Sequence, residues 1–225
     1  MNHDLGTMEQ GDKATNDQSR VPLAIAITAM VVGIALRVVE FSRDRPLWLD
    51  EAMLALNIAT RSFADLARPL DYDQTAPLLY LWIERAFVAV GGVNERTLRL
   101  LPFLASVALV PAVWLIGRRL AGTTAAAVAT ALAAISLALV TFSAEAKQYG
   151  VDPLCTLMAV GLAARVAAAP EDERRWRQLL AGGVIALFAS QPAVFALGGV
   201  VLALVSHPRA RGTAVGRRWL TLSAL

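Results

Sequence analysis

Long apolar stretches separated by short charged segments run through this 225-residue chain from Val21 to its last residue. Hydrophobic residues make up 56% of the sequence and charged residues 17%, a balance far more apolar than that of a soluble domain. A helix that crosses the hydrocarbon core needs roughly 20 apolar residues, and roughly five to seven such segments fit. The predicted fold class is therefore all-α, a polytopic transmembrane helical bundle.

The sequence divides into a polar tail and an apolar module. Residues 1–20 are polar and mixed in charge, which predicts a disordered cytoplasmic tail. Val21–Phe41 lacks a small-residue cleavage site and is predicted to be a retained first helix, with Arg37 close enough to its end to snorkel. Residues 21–225 then form one transmembrane module, predicted to be incomplete at its C-terminus because an apolar run has just begun at Trp219.

Basic clusters between the apolar segments predict the orientation. They lie at Arg118–Arg119, Arg174–Arg177 and Arg209–Arg218, and the excess of arginine and lysine in cytoplasmic loops places all three inside. Because the basic residues serve orientation and do not share one face, the net charge of +3 does not predict nucleic-acid binding.

The same orientation places residues 42–75 and 142–152 outside. The segment 76–91 carries Glu84 and Arg85, and a crossing there would put the two loops on opposite sides. We therefore expect that segment to be re-entrant or interfacial. Leu179–Ser206 is broken by Gln191 and Pro192, so it is either a hairpin of two short helices or one kinked span.

Few residue types are available for chemistry. The sequence has one cysteine, Cys155, and two histidines, which excludes an intramolecular disulfide and leaves almost no residues for a multi-histidine metal site. Carboxylates and cations must carry any reaction. No cofactor or metal site is predicted, and a divalent metal stays an open alternative.

The first external loop contains a predicted amphipathic helix. Leu49, Met53, Leu56 and Phe63 recur at helical spacing, and polar residues such as Asn57 lie between them. This pattern is typical of a helix at the membrane interface. Asp50 and Glu51 lie at its start. Asp50 is either the N-cap of the helix or a general base at the bilayer surface, and the residues alone do not separate these interpretations.

Two further polar clusters lie in the loops. Glu145, Tyr149 and Asp152 are spaced i, i+4 and i+7 and would share one face of a helix, although Pro153 makes Asp152 a natural N-cap of the next helix. Lys147 lies within this cluster. The other set comprises Asp73 and Gln74 before Pro77, with the i, i+4 pair Glu95 and Arg99 further on.

The order of these motifs resembles the N-terminal half of the GT-C membrane glycosyltransferases, over roughly Leu47–Leu162. The bacterial relatives of protein O-mannosyltransferases and aminoarabinose transferases are the most similar group. The resemblance rests on Trp-Leu-Asp-Glu after the first helix, Pro-Leu-Leu-Tyr, Gly-Gly-Val-Asn-Glu-Arg-Thr-Leu-Arg, Gly-Arg-Arg-Leu-Ala-Gly and Ser-Ala-Glu-Ala-Lys-Gln-Tyr. Ala76-Pro77-Leu78 departs from the family's His or Lys followed by Pro-Pro or Pro-Ile.

The resemblance implies transfer of a sugar, with inversion, from a polyprenyl-phosphate donor to an acceptor outside the bacterial cytoplasmic membrane. The acceptor would be a lipid, glycan or protein of the cell envelope. Asp50 matches the family's catalytic base. The remaining candidates would bind substrate, with the Arg99 and Lys147 cations stabilising the leaving phosphate: Glu51, Asp73, Gln74, Arg99, Glu145, Lys147, Tyr149 and Asp152.

A non-catalytic protein is the alternative function. A truncated chain, or an accessory subunit that binds a lipid carrier, would share the same composition. A transporter fits less well, because intramembrane acids are expected in that class and the candidate acids here lie in loops.

Overall fold

The computed structural model describes residues 4–43 and 45–222, with side chains from residue 20 to residue 221 except residue 44. The described backbone contains helices and no strand, so the all-α prediction is confirmed. The helices are α1 (Asp4–Ser42), α2 (Leu49–Thr60), α3 (Leu78–Gly91), α4 (Glu95–Leu98), α5 (Leu100–Leu120), α6 (Gly122–Ile135), α7 (Leu137–Thr141), α8 (Asp152–Ala168), α9 (Glu173–Ala189), α10 (Ala193–Ser206), α11 (Pro208–Gly212) and α12 (Ala214–Leu222). Four 3-10 turns connect some of them: Asp65–Ala67, Asp71–Asp73, Phe142–Ala144 and Gln148–Gly150.

Three described segments are long and apolar enough to cross a bilayer: Arg20–Ser42 of α1, α5, and Gln148–Ala168 with α8. The pair α6 and α7 makes a fourth if counted as one span bent by 57°. This count is lower than the roughly five to seven expected from the apolar runs, because α9 and α10 have only 17 and 14 residues. A helical membrane bundle is nevertheless what the described residues form. The helical backbone begins at Asp4, inside the segment 1–20 predicted to be a disordered tail, and residues 1–3 lie outside the described part.

Contacts between α9 and α10 decide between the two interpretations of residues 179–206. Trp176, near the start of α9, packs with Val200 and Leu204 near the end of α10. The two helices therefore run antiparallel, as a hairpin that turns at residues 190–192.

Arg37 in α1 does not snorkel as expected, because the bundle gives it buried acceptors. The bend between α6 and α7 leaves carbonyls at the end of α6 without intrahelical partners. The Arg37 guanidinium donates to the carbonyls of Ala133 and Ala134 at 3.1 and 3.2 Å. It also donates to the Ser106 hydroxyl at 2.8 Å. Arg37 is fully buried and joins α1, α5 and α6.

The orientation of α2 differs from that of a surface helix with its polar side in water. Leu49 and Leu56 are 73% and 50% exposed, whereas Glu51 and Asn57 are 2% and 1% exposed. Glu51 and Asn57 therefore face the protein and bind neighbouring loops, beside buried apolar residues of the same helix, whereas Leu49 and Leu56 face outward. An outward apolar face suits the predicted position at the membrane interface.

Loop contacts define one end of the bundle, here called the Asp50 end. The Glu51 carboxylate accepts the Ala146 N–H at 2.6 Å, which joins α2 to the segment between α7 and α8. Gln148 Nε2 donates to Gln191 Oε1 at 3.3 Å, which adds the turn between α9 and α10. Residues 42–75 and 142–152 thus lie at the same end, as predicted.

The three basic clusters lie together at the opposite end, here called the arginine end. The Arg218 guanidinium lies 3.7 Å from the Glu173 carboxylate, and the Thr213 hydroxyl donates to the Pro170 carbonyl at 3.4 Å. Arg119 lines the same cavity as residues of the 165–175 region. The three clusters therefore share one end of the bundle, and its position on the cytoplasmic side stays a prediction.

The segment that contains α3 begins and ends at the Asp50 end. Before α3, Gln74 Oε1 accepts a hydrogen bond from Lys147 Nζ at 2.8 Å. After α4, the Arg99 guanidinium lies 3.4 Å from the Glu51 carboxylate. Residues 75–98 therefore start and finish at the same end of the bundle, the path that is expected of a re-entrant or interfacial segment.

Candidate functional site

Asp50 lies in the first turn of α2, and its carboxylate is exposed on the protein surface. Trp48, with extended backbone, occupies the N-cap position, so the N-cap interpretation of Asp50 is wrong. The Asp50 side chain is 58% exposed, and its Oδ2 lies 3.5 Å from Lys147 Nζ. The carboxylate is thus accessible to an incoming molecule and has a cation beside it.

Lys147 supplies that cation from the other side of the site. Its side chain is buried, and its ammonium donates to Gln74 Oε1 at 2.8 Å. The backbone of Lys147 is extended, with φ −140° and ψ 161°. Gln74 and Asp50 together fix the position of the Lys147 ammonium.

Glu51 and Arg99 form a buried pair behind Asp50. The Glu51 carboxylate accepts the N–H groups of Trp48 at 2.8 Å and Ala146 at 2.6 Å. The Arg99 guanidinium lies 3.4 Å from it and also donates to the Arg45 carbonyl at 2.9 Å. These bonds link α2, α5 and the 142–147 segment. Contact of either side chain with substrate, predicted from the resemblance, would require exchange of these bonds.

Asn57 holds the turn that carries Asp73 and Gln74. Its side-chain amide accepts the Asp71 N–H at 2.9 Å and donates to the Asp71 carbonyl at 3.2 Å. Tyr72 and Asp73 then adopt positive φ of 62° and 52°, a region that non-glycine residues rarely occupy. The strained turn brings Gln74 to Lys147 and leaves the Asp73 side chain exposed.

Residues 142–152 do not form the predicted continuous helix. Glu145 has extended backbone, with φ −105° and ψ 134°, and the segment consists of two 3-10 turns on either side of residues 145–147. Glu145, Tyr149 and Asp152 therefore do not share one helical face. The cause is tertiary, because the Ala146 N–H pairs with the Glu51 carboxylate and not with a carbonyl one turn earlier.

The members of this cluster lie in different surroundings. Burial, followed by the nearby Glu51 charge, raises the pKa of the half-buried Glu145 carboxyl. Tyr149 is partly exposed and contacts the Phe142 ring at 5.3 Å between centroids. Asp152 begins α8 without a capping bond, since Val151 is at the N-cap position, and its buried Oδ1 has no hydrogen-bond partner.

The sequence interpretation missed the structural part that Asn57 and Arg45 play. The amphipathic pattern predicts Asn57 among the polar positions of α2, whereas the structure buries it. Arg45 Nη2 donates to the Ala144 carbonyl at 3.2 Å, and the Glu40 carboxylate lies 3.6 Å from its Nη1. The partners of both lie far along the chain or across a turn, so no local pattern points to them. Within the described residues no group of three His, Cys, Asp or Glu side chains is placed to hold a metal ion.

Comparison with known protein families identifies a match. The profile of the dolichyl-phosphate-mannose-protein mannosyltransferase family matches residues 75–225, more than half of the chain. The match includes Lys147 and Arg99 and begins after Asp50, Glu51 and Gln74. No curated protein and no solved structure matches the chain significantly. The chain belongs to the dolichyl-phosphate-mannose-protein mannosyltransferase family of GT-C membrane glycosyltransferases.

Proposed function

We propose that this chain transfers a sugar from a polyprenyl-phosphate donor to an acceptor hydroxyl at the Asp50 end, with inversion at the anomeric carbon. Family membership supports a glycosyltransferase that uses such a donor. The observation that carries the assignment to this site is the exposed Asp50 carboxylate 3.5 Å from the buried Lys147 ammonium. A carboxylate and an ammonium group thus lie within one small region, which supports the proposed roles of proton acceptor and phosphate-binding cation.

In the proposed reaction, the acceptor oxygen attacks the anomeric carbon while the bond from that carbon to the phosphate oxygen breaks. Asp50 accepts the hydroxyl proton. The polyprenyl phosphate leaves with the bonding electron pair, and the Lys147 ammonium stabilises its charge. A single displacement inverts the configuration. Gln74 positions Lys147, and Glu51 with Arg99 holds α2 against the 142–147 segment.

The surroundings of the site support an acceptor that approaches from outside the membrane. The Asp50 end faces away from the three basic clusters, which are typical of the cytoplasmic side. The outward apolar face of α2, with Leu49 and Leu56 exposed, would keep the site at the interface, where the phosphate of a membrane-held donor lies. We therefore place the active site on the outer face of the bacterial cytoplasmic membrane.

The test uses membranes that contain the full chain, radiolabelled polyprenyl-phosphate mannose and an acceptor extract from the cell envelope. Asp50→Asn is expected to lower transfer by at least about 100-fold, the usual contribution of a general base. Asp65→Asn is the matched control, because Asp65 belongs to the same external segment but pairs with Ser62 and Arg68. Equal transfer by wild type and Asp50→Asn would refute Asp50 as the base.

Donor binding separates the enzyme from the accessory-subunit alternative. If the wild type binds the labelled donor saturably but transfers no sugar from mannose, glucose or aminoarabinose donors, the chain is an accessory donor-binding protein. Cleavage of the product by an anomer-specific glycosidase reports the configuration. Retained configuration would contradict the single displacement.

A further inference from the structure

A cavity lies at the arginine end, remote from the Asp50 site. Its volume is about 530 Å³, and it is formed by the later turns of α5 and α8 and the start of α9. α5 begins at Leu100 beside the Asp50 end, so its last turn lies about 30 Å away at 1.5 Å per residue. The proposed sugar transfer does not use this cavity.

The wall of the cavity is apolar and open at the side. Gly161 allows close approach of Ile116, since a Cβ atom at position 161 would lie 2.8 Å from Ile116 Cδ1. Ala164 adds a second small residue. Leu115 and Met158 line the cavity and are 49% and 46% exposed. In a bundle surrounded by lipid, such a cavity opens to hydrocarbon chains.

Three arginines lie along the same cavity. The Arg175 guanidinium is occupied, since its Nε lies 3.2 Å from the Asp172 carboxylate and its Nη1 donates to the Arg165 carbonyl at 2.7 Å. Arg119 and Arg165 are exposed and have no ion-pair partner among the described residues. Two guanidinium groups therefore remain available beside an apolar wall.

We propose that this cavity binds an anionic phospholipid, with an acyl chain along α5 and α8 and its phosphate at Arg119 and Arg165. A guanidinium can bind phosphate oxygens through two parallel hydrogen bonds. Basic pockets between membrane helices are a recurring site for anionic headgroups. A free phosphate would leave the apolar wall unused, and a neutral lipid would leave the two arginines without a counter-charge.

The experiment measures lipid retention by the purified full chain in native mass spectrometry, with dioleoyl phosphatidylglycerol and dioleoyl phosphatidylcholine as probes. The wild type is expected to retain phosphatidylglycerol preferentially. Arg119→Gln/Arg165→Gln should lower that retention roughly 10- to 30-fold, from the loss of two basic contacts. Arg118→Gln/Arg177→Gln is the matched control, because it removes two exposed arginines of the same end that do not line the cavity. It should change retention less than about twofold, because the headgroup contacts would remain.

Several results would overturn the proposal. An equal loss in both double variants would mean that the general positive charge of this end attracts the lipid. Equal retention of the two probes would mean an unspecific acyl-chain groove. Displacement of phosphatidylglycerol by inorganic phosphate would exclude a role for the apolar wall. Preferential retention of undecaprenyl phosphate over phosphatidylglycerol would exclude a phospholipid as the ligand. As a shape test with the charges intact, Ala164→Phe should also lower phosphatidylglycerol retention, and unchanged retention would contradict binding in this cavity.

Discussion

At the scale of single residues, Asp50 and Glu51 are neighbours in the chain with opposite surroundings. Successive residues of a helix point about 100° apart, so Asp50 faces outward while Glu51 faces the 142–147 segment. Glu51 accepts two backbone N–H groups and lies beside Arg99. Asp50 has the Lys147 ammonium beside it and remains 58% exposed. One carboxylate is thus bound into the protein and the other is accessible.

Glu51→Gln is expected to destabilise the fold, while Asp50→Asn is not. The glutamine amide would turn an NH₂ group toward one of two N–H donors, at Trp48 or Ala146, and leave that donor buried without an acceptor. The expected loss is roughly 1–3 kcal/mol of unfolding free energy. Thermal unfolding in detergent measures both variants. Equal midpoints for Glu51→Gln and wild type would show that Glu51 does not join the two segments.

Arg37→Met is expected to destabilise the bundle by roughly 2–4 kcal/mol, because carbonyls of Ala133 and Ala134 would lose their donors in an apolar environment. Arg20→Met is the matched control, since Arg20 lies in the same helix and is exposed. Thermal unfolding again provides the measurement. A loss of similar size in both variants would attribute the effect to the charge of α1 and not to the contact with α6.

At the scale of elements, α3 combines an apolar sequence with flanking residues that lie at the same end of the bundle. Its buried face carries Tyr80, Leu81, Glu84 and Val88, whereas Val90 is 92% exposed. Gly92, with φ 76°, ends the helix and turns the chain toward α4 and Arg99. The length of α3, 14 residues, is short for a span of roughly 20 residues.

Cysteine labelling in intact cells tests this path. In a Cys155→Ser background, cysteines placed at Asp73 and Val93 should both react with a membrane-impermeant maleimide added outside. These positions precede and follow α3 and are exposed. A cysteine at Thr123, beyond α5, should react only after the membrane is permeabilised. Reaction of the Val93 position only after permeabilisation would show that α3 crosses the bilayer.

The positions of the helices could be predicted from the sequence more completely than the contacts that their side chains make. Apolar periodicity located α2, and the basic clusters identified the loops that share an end. Hydropathy did not reveal that Asn57 is buried, that Arg37 binds the broken end of α6, or that Glu145 leaves helical geometry. Each of these depends on a partner distant in sequence, such as Ala146 for Glu51. The wrong interpretations were therefore those that considered a segment without its contacts to residues distant in the sequence.

At the scale of the whole molecule, the candidate site depends on segments that are far apart in the chain. Asp50 and Gln74 precede the family match, while Lys147 lies within it. Their contacts place the unmatched residues beside the matched ones. Order and spacing predicted the candidate residues, whereas the fold shows that Asp50, Gln74 and Lys147 meet and that Arg99 lies behind them beside Glu51.

The pH dependence of stability is also a property of the whole molecule, and Glu84 is expected to influence it strongly. Its carboxyl is fully buried on α3 and has no ion-pair partner among the described residues. Burial raises its pKa from 4.5 to about 9. The folded protein therefore binds more protons than the unfolded chain between these values, and its free energy of unfolding should fall as pH rises through that window, by at most about 1.4 kcal/mol per pH unit for this group.

Glu84→Gln keeps the neutral form at every pH, so the variant should be more stable than wild type at pH 8 and similar to it at pH 5. Thermal unfolding between pH 5 and pH 9 measures this difference. A smaller fall should persist in the variant, because burial also raises the pKa of Glu145. Glu95→Gln, at an exposed position in α4, should follow the wild-type curve. If wild type and Glu84→Gln instead show the same pH dependence, Glu84 must have a partner that stabilises its charge, and the face of α3 that carries it must be hydrated or paired in the membrane.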